Sequence, residues 1–232
     1  MRGETLDALL AARAARRPVV LMTLLDTGEQ WLLEPAGEGA LPAFARAAAT
    51  GAQQALADDR SNRVETPQGT VFIHVFNPPP RMIIVGAVHI AQSLAPMAGL
   101  AGFDVTVVDP RRAFASDQRF PSVSVQVEWA DEVLERLAPD ARTAVVTLTH
   151  DPKLDDPALS AALRSEAFYV GALGSRRTHA ARLERLAQAG FGDAELARIH
   201  GPAGLDIGAR TPAEIALAIV AQATQALHRG AA

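Results

Sequence analysis

The 232-residue chain contains no cysteine. That absence excludes disulfides, zinc-thiolate and iron-sulfur centres, and any cysteine nucleophile. Lysine is almost missing too, since Lys153 is the only lysine among 22 basic residues. The basic residues form no block and are outnumbered by 26 acidic ones, for a formal net charge of -4. A protein that grips nucleic acid electrostatically would be basic instead, so no nucleic-acid partner is expected. No apolar run reaches the roughly eighteen residues of a membrane span. The amino end carries Glu4 and Asp7 among its alanines and lacks the apolar stretch and cleavage site of a secretion signal. No membrane partner and a cytoplasmic location follow as expectations. His74, His89, His150, His179, His200 and His228 form no pair at ligand spacing with a carboxylate, so no protein-built metal site is expected. Walker loops, nucleophile elbows and deaminase signatures are likewise missing.

What is present is apolar material, 49% of the chain, enough to bury one large core or two modest ones. Residues 5 to 17 place Leu6, Leu9, Leu10 and Ala14 at helical spacing until Pro18 stops the pattern. Val19 to Leu25, the turn chemistry of Asp26-Thr27-Gly28, and Gln30 to Leu33 read as a hairpin. A helix over 41 to 57 and a strand over Thr70 to Phe76 complete a small α+β domain, residues 1–76. The linker 77–81 follows, where Asn77-Pro78-Pro79-Pro80 enforces extended backbone.

Over 82–232 the rhythm changes to short aliphatic runs alternating with helical stretches. The runs are Met82 to Val85, Val105 to Val108, Val123 to Val127, Ala144 to Leu148 and Phe168 to Leu173. Such runs suit strands covered on both faces. Helices are predicted near 89 to 101, 131 to 138, 157 to 165 and 178 to 189, the third opened by Asp156-Pro157. A last helix from Pro212 is announced by the capping box Thr211-Pro212-Ala213-Glu214. Strand-helix-strand alternation implies right-handed crossovers and a parallel, Rossmann-like α/β sheet.

Gly86-Ala87-Val88-His89-Ile90-Ala91 follows the first of these strands, and Asp109 closes the second. This is the layout of a dinucleotide fingerprint, except that Val88 stands where backbone must approach a pyrophosphate. NAD(P) is therefore disfavoured. Asp109 can accept hydrogen bonds from a ligand or merely cap its own turn, with Arg111 and Arg112 solvated beside it. His150 and Asp151, in Thr149-His150-Asp151-Pro152, lie at a strand's carboxyl end, where open sheets place ligands. A turn histidine bonded to backbone would look the same. Gly171-Ala172-Leu173-Gly174-Ser175-Arg176-Arg177-Thr178 again joins strand to helix. Glycines, a helix amino end, Ser175 and two arginines read as an anion site for phosphate or carboxylate. The competing reading is a surface turn whose arginines meet Glu184 or solvent. In Ile199 to Ala209, Asp206 is expected to be partly buried and hydrogen-bonded, whether for pinning the last helix or for touching a ligand. The loops are expected to converge on one concavity that holds something negatively charged.

Taken in order, these segments resemble the XdhC/CoxI family, accessory proteins of molybdenum hydroxylases such as xanthine dehydrogenase and carbon monoxide dehydrogenase. The resemblance runs from about Arg81 to Ala221 and rests on Gly86-Ala87 with His89 and Gln92, Val107-Val108-Asp109, Phe120-Pro121 and Thr149-His150-Asp151. It continues through Gly171 to Arg177, Pro202, Gly204 to Ala209 and Thr211 to Glu214. It implies a protein that binds molybdenum cofactor, as molybdopterin or its dinucleotide form, and assists sulfuration and insertion into a hydroxylase apoenzyme. A cysteine desulfurase is an implied second partner. Such a protein is a cofactor handler more than an enzyme with its own turnover. Together with the loop reading, the resemblance assigns Gly174, Ser175, Arg176 and Arg177 to phosphate, His150 and Asp151 to the pterin or metal end, and Asp109 to hydroxyl or ring N–H donors. Gly86, His89, Arg111, Gly171 and Asp206 complete the cofactor-binding set. The chain departs from the family in lacking its amino-terminal cysteine, in Val88, and in Gln222 on the last helix, where an acidic residue is typical. An NAD(P)-dependent oxidoreductase and a cofactor-free docking scaffold are the alternatives. The apolar surface of the last helix, with Ile215, Leu217, Ile219 and Val220, suggests a homodimer.

Overall fold

The computed structural model describes residues 3–34, 41–116, 118–121 and 123–229. The chain divides into two compact units, and it passes from the first to the second between Pro78 and Pro79. The first holds α1 (Gly3–Ala14), β1 (Val19–Leu24), β2 (Gln30–Leu33), α2 (Ala43–Ala57), β3 (Asn62–Thr66) and β4 (Gly69–Phe76). Its strands pair antiparallel in the order β2-β1-β4-β3. The expected hairpin forms, and Phe44, Ala45, Ala48 and Ala52 of α2 pack on Val20, Met22, Val71 and Ile73. β3 is not among the expected strands. Asn62-Arg63-Val64-Glu65-Thr66 holds one apolar residue and pairs on one side only, so its weak pattern belongs to a solvated edge strand.

The second unit holds β5 (Arg81–Val85), α3 (His89–Leu100), β6 (Asp104–Val108), β7 (Ser124–Gln126), α4 (Ala130–Leu137) and β8 (Thr143–Thr147). It continues with α5 (Pro152–Leu163), β9 (Tyr169–Ala172), α6 (Arg176–Gln188), α7 (Asp193–Leu196), β10 (Ile199–His200) and α8 (Pro212–Arg229). Every pairing is parallel, in the order β10-β9-β8-β5-β6-β7. This is the expected α/β, doubly wound arrangement, in which the chain starts mid-sheet at β5, runs out through β7 and returns to β8. Side chains alternate between two cores. Met82, Ile84 and Val146 face α3 and α8, whereas Ile83, Val85 and Val145 face α4 and α5. Both faces being covered explains the unbroken aliphatic runs.

One helix start needs correction. α5 begins at Pro152, not at 157, because Asp151 already caps it by accepting the Lys153 amide at 3.0 Å, with proline in the first turn. Pro157 then lies inside the helix. The hydrogen bond it withholds would have gone to Lys153, an exposed residue of the first turn, where water can substitute.

Candidate functional site

Val108, Val85, Thr147 and Ala172 stand in one row across the sheet. The chain therefore leaves β6, β5, β8 and β9 on the same edge, at Asp109, Gly86, Leu148 and Leu173. With strands about 4.8 Å apart, these four loops share an edge about 15 Å wide. Strand order reverses between β5 and β8, so this is the edge where such sheets take ligands.

On the β5/β6 side the polar groups are already paired with one another. Asp109 is buried at 1% exposure. Its Oδ2 accepts the Ala87 amide at 2.8 Å and Arg111 Nη2 at 2.7 Å, and its Oδ1 accepts the Arg111 amide and Nε, both at 2.9 Å. Burial by itself would raise the Asp109 carboxyl, but the side-chain and backbone bonds from Arg111 and the Ala87 amide outweigh it and hold it below the usual carboxylate range. Of the two readings of Asp109, the structure shows the turn cap, and no acceptor is left over for a ligand's hydroxyls. Arg111 is not merely solvated as that reading had it: while part of its side chain reaches solvent, it grips Asp109 and stacks on Phe114 at 4.5 Å. Gly86 adopts φ +103°, and a Cβ there would lie 2.6 Å from Thr149 Cγ2, so this glycine lets the β5 turn pass the β8 loop. Val88 sits at φ -85° as the N-cap of α3 with no side-chain cap, and His89 beside it is exposed.

The β8/β9 side is different. Ser175 caps α6, its Oγ accepting the Thr178 amide at 3.1 Å. Arg176 and Arg177 follow as the first helical residues, both exposed and without a hydrogen bond or ion pair to any described residue. The expected alternative pairing with Glu184 does not form. First-turn amides, the positive end of the helix dipole and two unpaired guanidinium groups coincide here. Gly174, at φ +143°, makes the turn; an added Cβ would press on Thr178 at 3.1 Å. His150 and Asp151 are exposed on the neighbouring loop. Asp151 caps α5, and its charge reaches Arg111 strongly enough to help hold that guanidinium's proton, behind the larger effect of Asp109.

Two residues do not sit as the sequence suggested. Gly171 is buried inside β9, where a Cβ would lie 2.7 Å from the Tyr169 ring; it makes room for packing. Asp206 is exposed and bonds to no described residue. The segment around it is pinned by backbone instead, through Gly204 to the Gln222 side chain at 2.8 Å and Leu205 to the Ala218 carbonyl at 3.1 Å. Gln222 also accepts the Tyr169 hydroxyl at 2.6 Å, which gives that amide a structural task. A cavity of about 790 Å³ opens between α3 and residues 119–121 and 123–124, lined by Pro96, Leu100, Phe103, Arg119 and Phe120. Another of about 450 Å³ lies between α6 and α7, beside His179 and Leu196. Neither is the concavity expected among the four loops.

Residues 82–223 match the family model of the XdhC Rossmann domain. The chain belongs to the XdhC family. It is 35% identical over 156 residues to the molybdenum cofactor insertion chaperone PaoD of Escherichia coli K12, covering 66% of this chain and 42% of that protein. It is 32% identical over 160 residues to a probable xanthine dehydrogenase subunit of Bacillus subtilis 168, covering 68% and 46%. The uncharacterized protein YqeB of Escherichia coli K12 is 33% identical over 158 residues, covering 67% and 29%. The chain thus spans less than half the length of these relatives. A solved Bacillus halodurans structure described as a xanthine dehydrogenase superposes with a TM-score of 0.73 at 25% identity, over 97% of this chain and 64% of that one.

Beneath the loops of the XdhC domain lies a polar cluster that sequence reasoning missed. Arg182 of α6 and Asp155 of α5 are both 2% exposed and 3.5 Å apart. Arg182 Nη2 donates to the Leu173 carbonyl at 2.9 Å, and the Thr149 hydroxyl donates to Asp155 Oδ1 at 2.5 Å. Arg182 Nε and Nη1 have no described partner. Burial pushes the Asp155 carboxyl up to about 6, against the Thr149 bond and the Arg182 charge. A charge at helical spacing on a polar helix gives no sequence signal of burial, because solvated faces look the same.

Proposed function

We propose that this protein binds molybdenum cofactor through its anionic end and delivers it, in the cytoplasm, to the apoenzyme of a molybdenum hydroxylase. The observation that carries this reading is the amino end of α6, where Arg176 and Arg177 stand exposed and unpartnered beside first-turn amides. Similarity to PaoD, an insertion chaperone by name, supports the cargo. The donor set fits a phosphate or diphosphate. It does not fit the metal end, since the chain has no cysteine and no cluster of three or more His, Asp or Glu among the described residues could hold an ion. When bound, the cargo supplies the molybdenum centre used by the hydroxylase. In this chain Ser175, Arg176 and Arg177 hold the phosphate, and His150 and Asp151 on the adjacent loop face the pterin. Sulfuration then falls to a partner such as a cysteine desulfurase.

Arg176→Ala/Arg177→Ala tests this. Because both side chains are exposed, each should weaken cofactor retention about 10-fold, or about 1.4 kcal/mol, with stability unchanged. Pterin fluorescence and molybdenum content of protein purified from its own host provide the readout, and unaltered retention would remove the loop from the mechanism. The oxidoreductase reading has the occupied Asp109 against it, because the carboxylate that would take a ribose diol is spent on Arg111 and Ala87.

A further inference from the structure

We propose that Asp155 and Arg182 form a buried positioning pair that sets the two loops of the anion site against each other, Asp155 holding the β8 loop through Thr149 and Arg182 holding the β9 loop through Leu173. The inference rests on the anion-site reading for its purpose, but its geometry is independent of any ligand. One member comes from each of the helices that open at these loops, and the chain Thr149 hydroxyl, Asp155 carboxylate, Arg182 guanidinium, Leu173 carbonyl is continuous at 2.5, 3.5 and 2.9 Å. At its β8 end the Asp151 amide donates to Thr149 Oγ1 at 3.3 Å, extending the chain to the α5 cap. At its β9 end the guanidinium lies directly under the turn, since a Cβ on Gly174 would stand 3.8 Å from Arg182 Nη2.

This arrangement is costly to the fold. A buried guanidinium with two unpartnered nitrogens and a carboxylate held by one short bond are not repaid by packing. An apolar pair of the same volume would fill the space and hold neither loop. Such a violation of local economy marks functional sites. The pair is also sensitive to pH, because burial brings the Asp155 carboxyl into the weakly acidic range, up to about 6. The charged and titratable groups that face it are Arg182, Asp156 and Arg185, with His179 beside Arg182. Protonation of Asp155 removes the counter-charge of Arg182 and breaks the middle of the chain, so the loops uncouple as pH falls through about 6.

Backbone amide resonances of the ligand-free protein, followed from about pH 4.5 to 8, test this directly. The Gly174 and Asp151 amides should titrate together with one midpoint near that of Asp155. With His150→Asn as the background, so that no imidazole adjoins the Asp151 amide, Asp155→Asn should abolish both titrations, Thr149→Val should remove that of Asp151 and spare Gly174, and His179→Asn should leave both. A folded Asp155→Asn variant that keeps both titrations overturns the proposal, as does a Thr149→Val variant that loses neither or both. If Asp155→Asn does not fold, Thr149→Val and His179→Asn decide. No ligand is used, so failure of the cofactor reading shows only in the Arg176/Arg177 experiment, and failure of this inference shows only here.

Discussion

Asp109 and Asp155 are both buried carboxylates at the same sheet edge, each beside an arginine, and burial alone would raise the pKa of either. Yet Asp109 is held below the usual range and Asp155 is pushed up to about 6. The difference lies in the donors. Asp109 receives the Ala87 amide and three bonds from Arg111, whose guanidinium reaches solvent on its far side. Asp155 receives one short bond from Thr149 and a 3.5 Å approach from an arginine as buried as itself. The β5/β6 side is thus internally closed, while the β8/β9 side keeps its charges under-compensated below and unpaired above, at Arg176 and Arg177. What a buried carboxylate does depends on how many donors reach it, not on the mere presence of an arginine.

That contrast can be broken most severely at Asp155. Asp155→Ala strands a buried guanidinium and should cost about 3 to 5 kcal/mol in urea unfolding; a loss below about 1 kcal/mol would mean that Arg182 finds water. Next comes the pH dependence. A raised native pKa contributes stability that is complete below the unfolded value near 3.8 and lost as pH rises through about 6. Wild type should therefore gain on the order of 2 to 3 kcal/mol relative to Asp155→Asn on going from about pH 7 to 4. Asp109, with its lowered native pKa, has the opposite sign: its contribution persists above the unfolded value and is lost only as pH falls through the lowered one. Equal acid responses in wild type and Asp155→Asn would contradict the assignment of the raised pKa. Smallest is Asp109→Asn, which keeps one acceptor oxygen for the Ala87 amide and should cost about 1 to 3 kcal/mol. The same variant sharpens the ligand comparison, because thermal-shift titration with NADP should still show no stabilisation if Val88 and the occupied turn both exclude a dinucleotide.

Much of this is legible in the residues. Aliphatic runs separated by capped helices specify a parallel sheet, and glycine-containing turns at the ends of β5 and β9 mark the ligand edge. Short edge strands are not legible, since β3 carries one apolar residue and β10 has only Ile199 and His200. The start of α5 is misplaced by local reasoning because Asp151-Pro152 and Asp156-Pro157 offer the same signal, and only the burial of Leu154 and Asp155, with the bond from Thr149 and the ion pair to Arg182, selects the first. Asp206, set among apolar neighbours, reads as buried, but the segment turns its backbone to α8 and leaves the carboxylate outside.

By itself the sequence determined fold class, the succession of the long strands and the location of two arginines near a helix amino end, because periodicity, capping and turn chemistry act over a few neighbouring residues. Only the tertiary structure decided which charges are available. Whether Asp109 meets the Ala87 amide as well as its near neighbour Arg111, and whether Arg182 is solvated or sealed under Gly174, depends on partners separated by 22 and 27 positions in the chain. Such pairing is set by which strands lie side by side, and no local pattern encodes the dielectric in which a carboxylate finds itself.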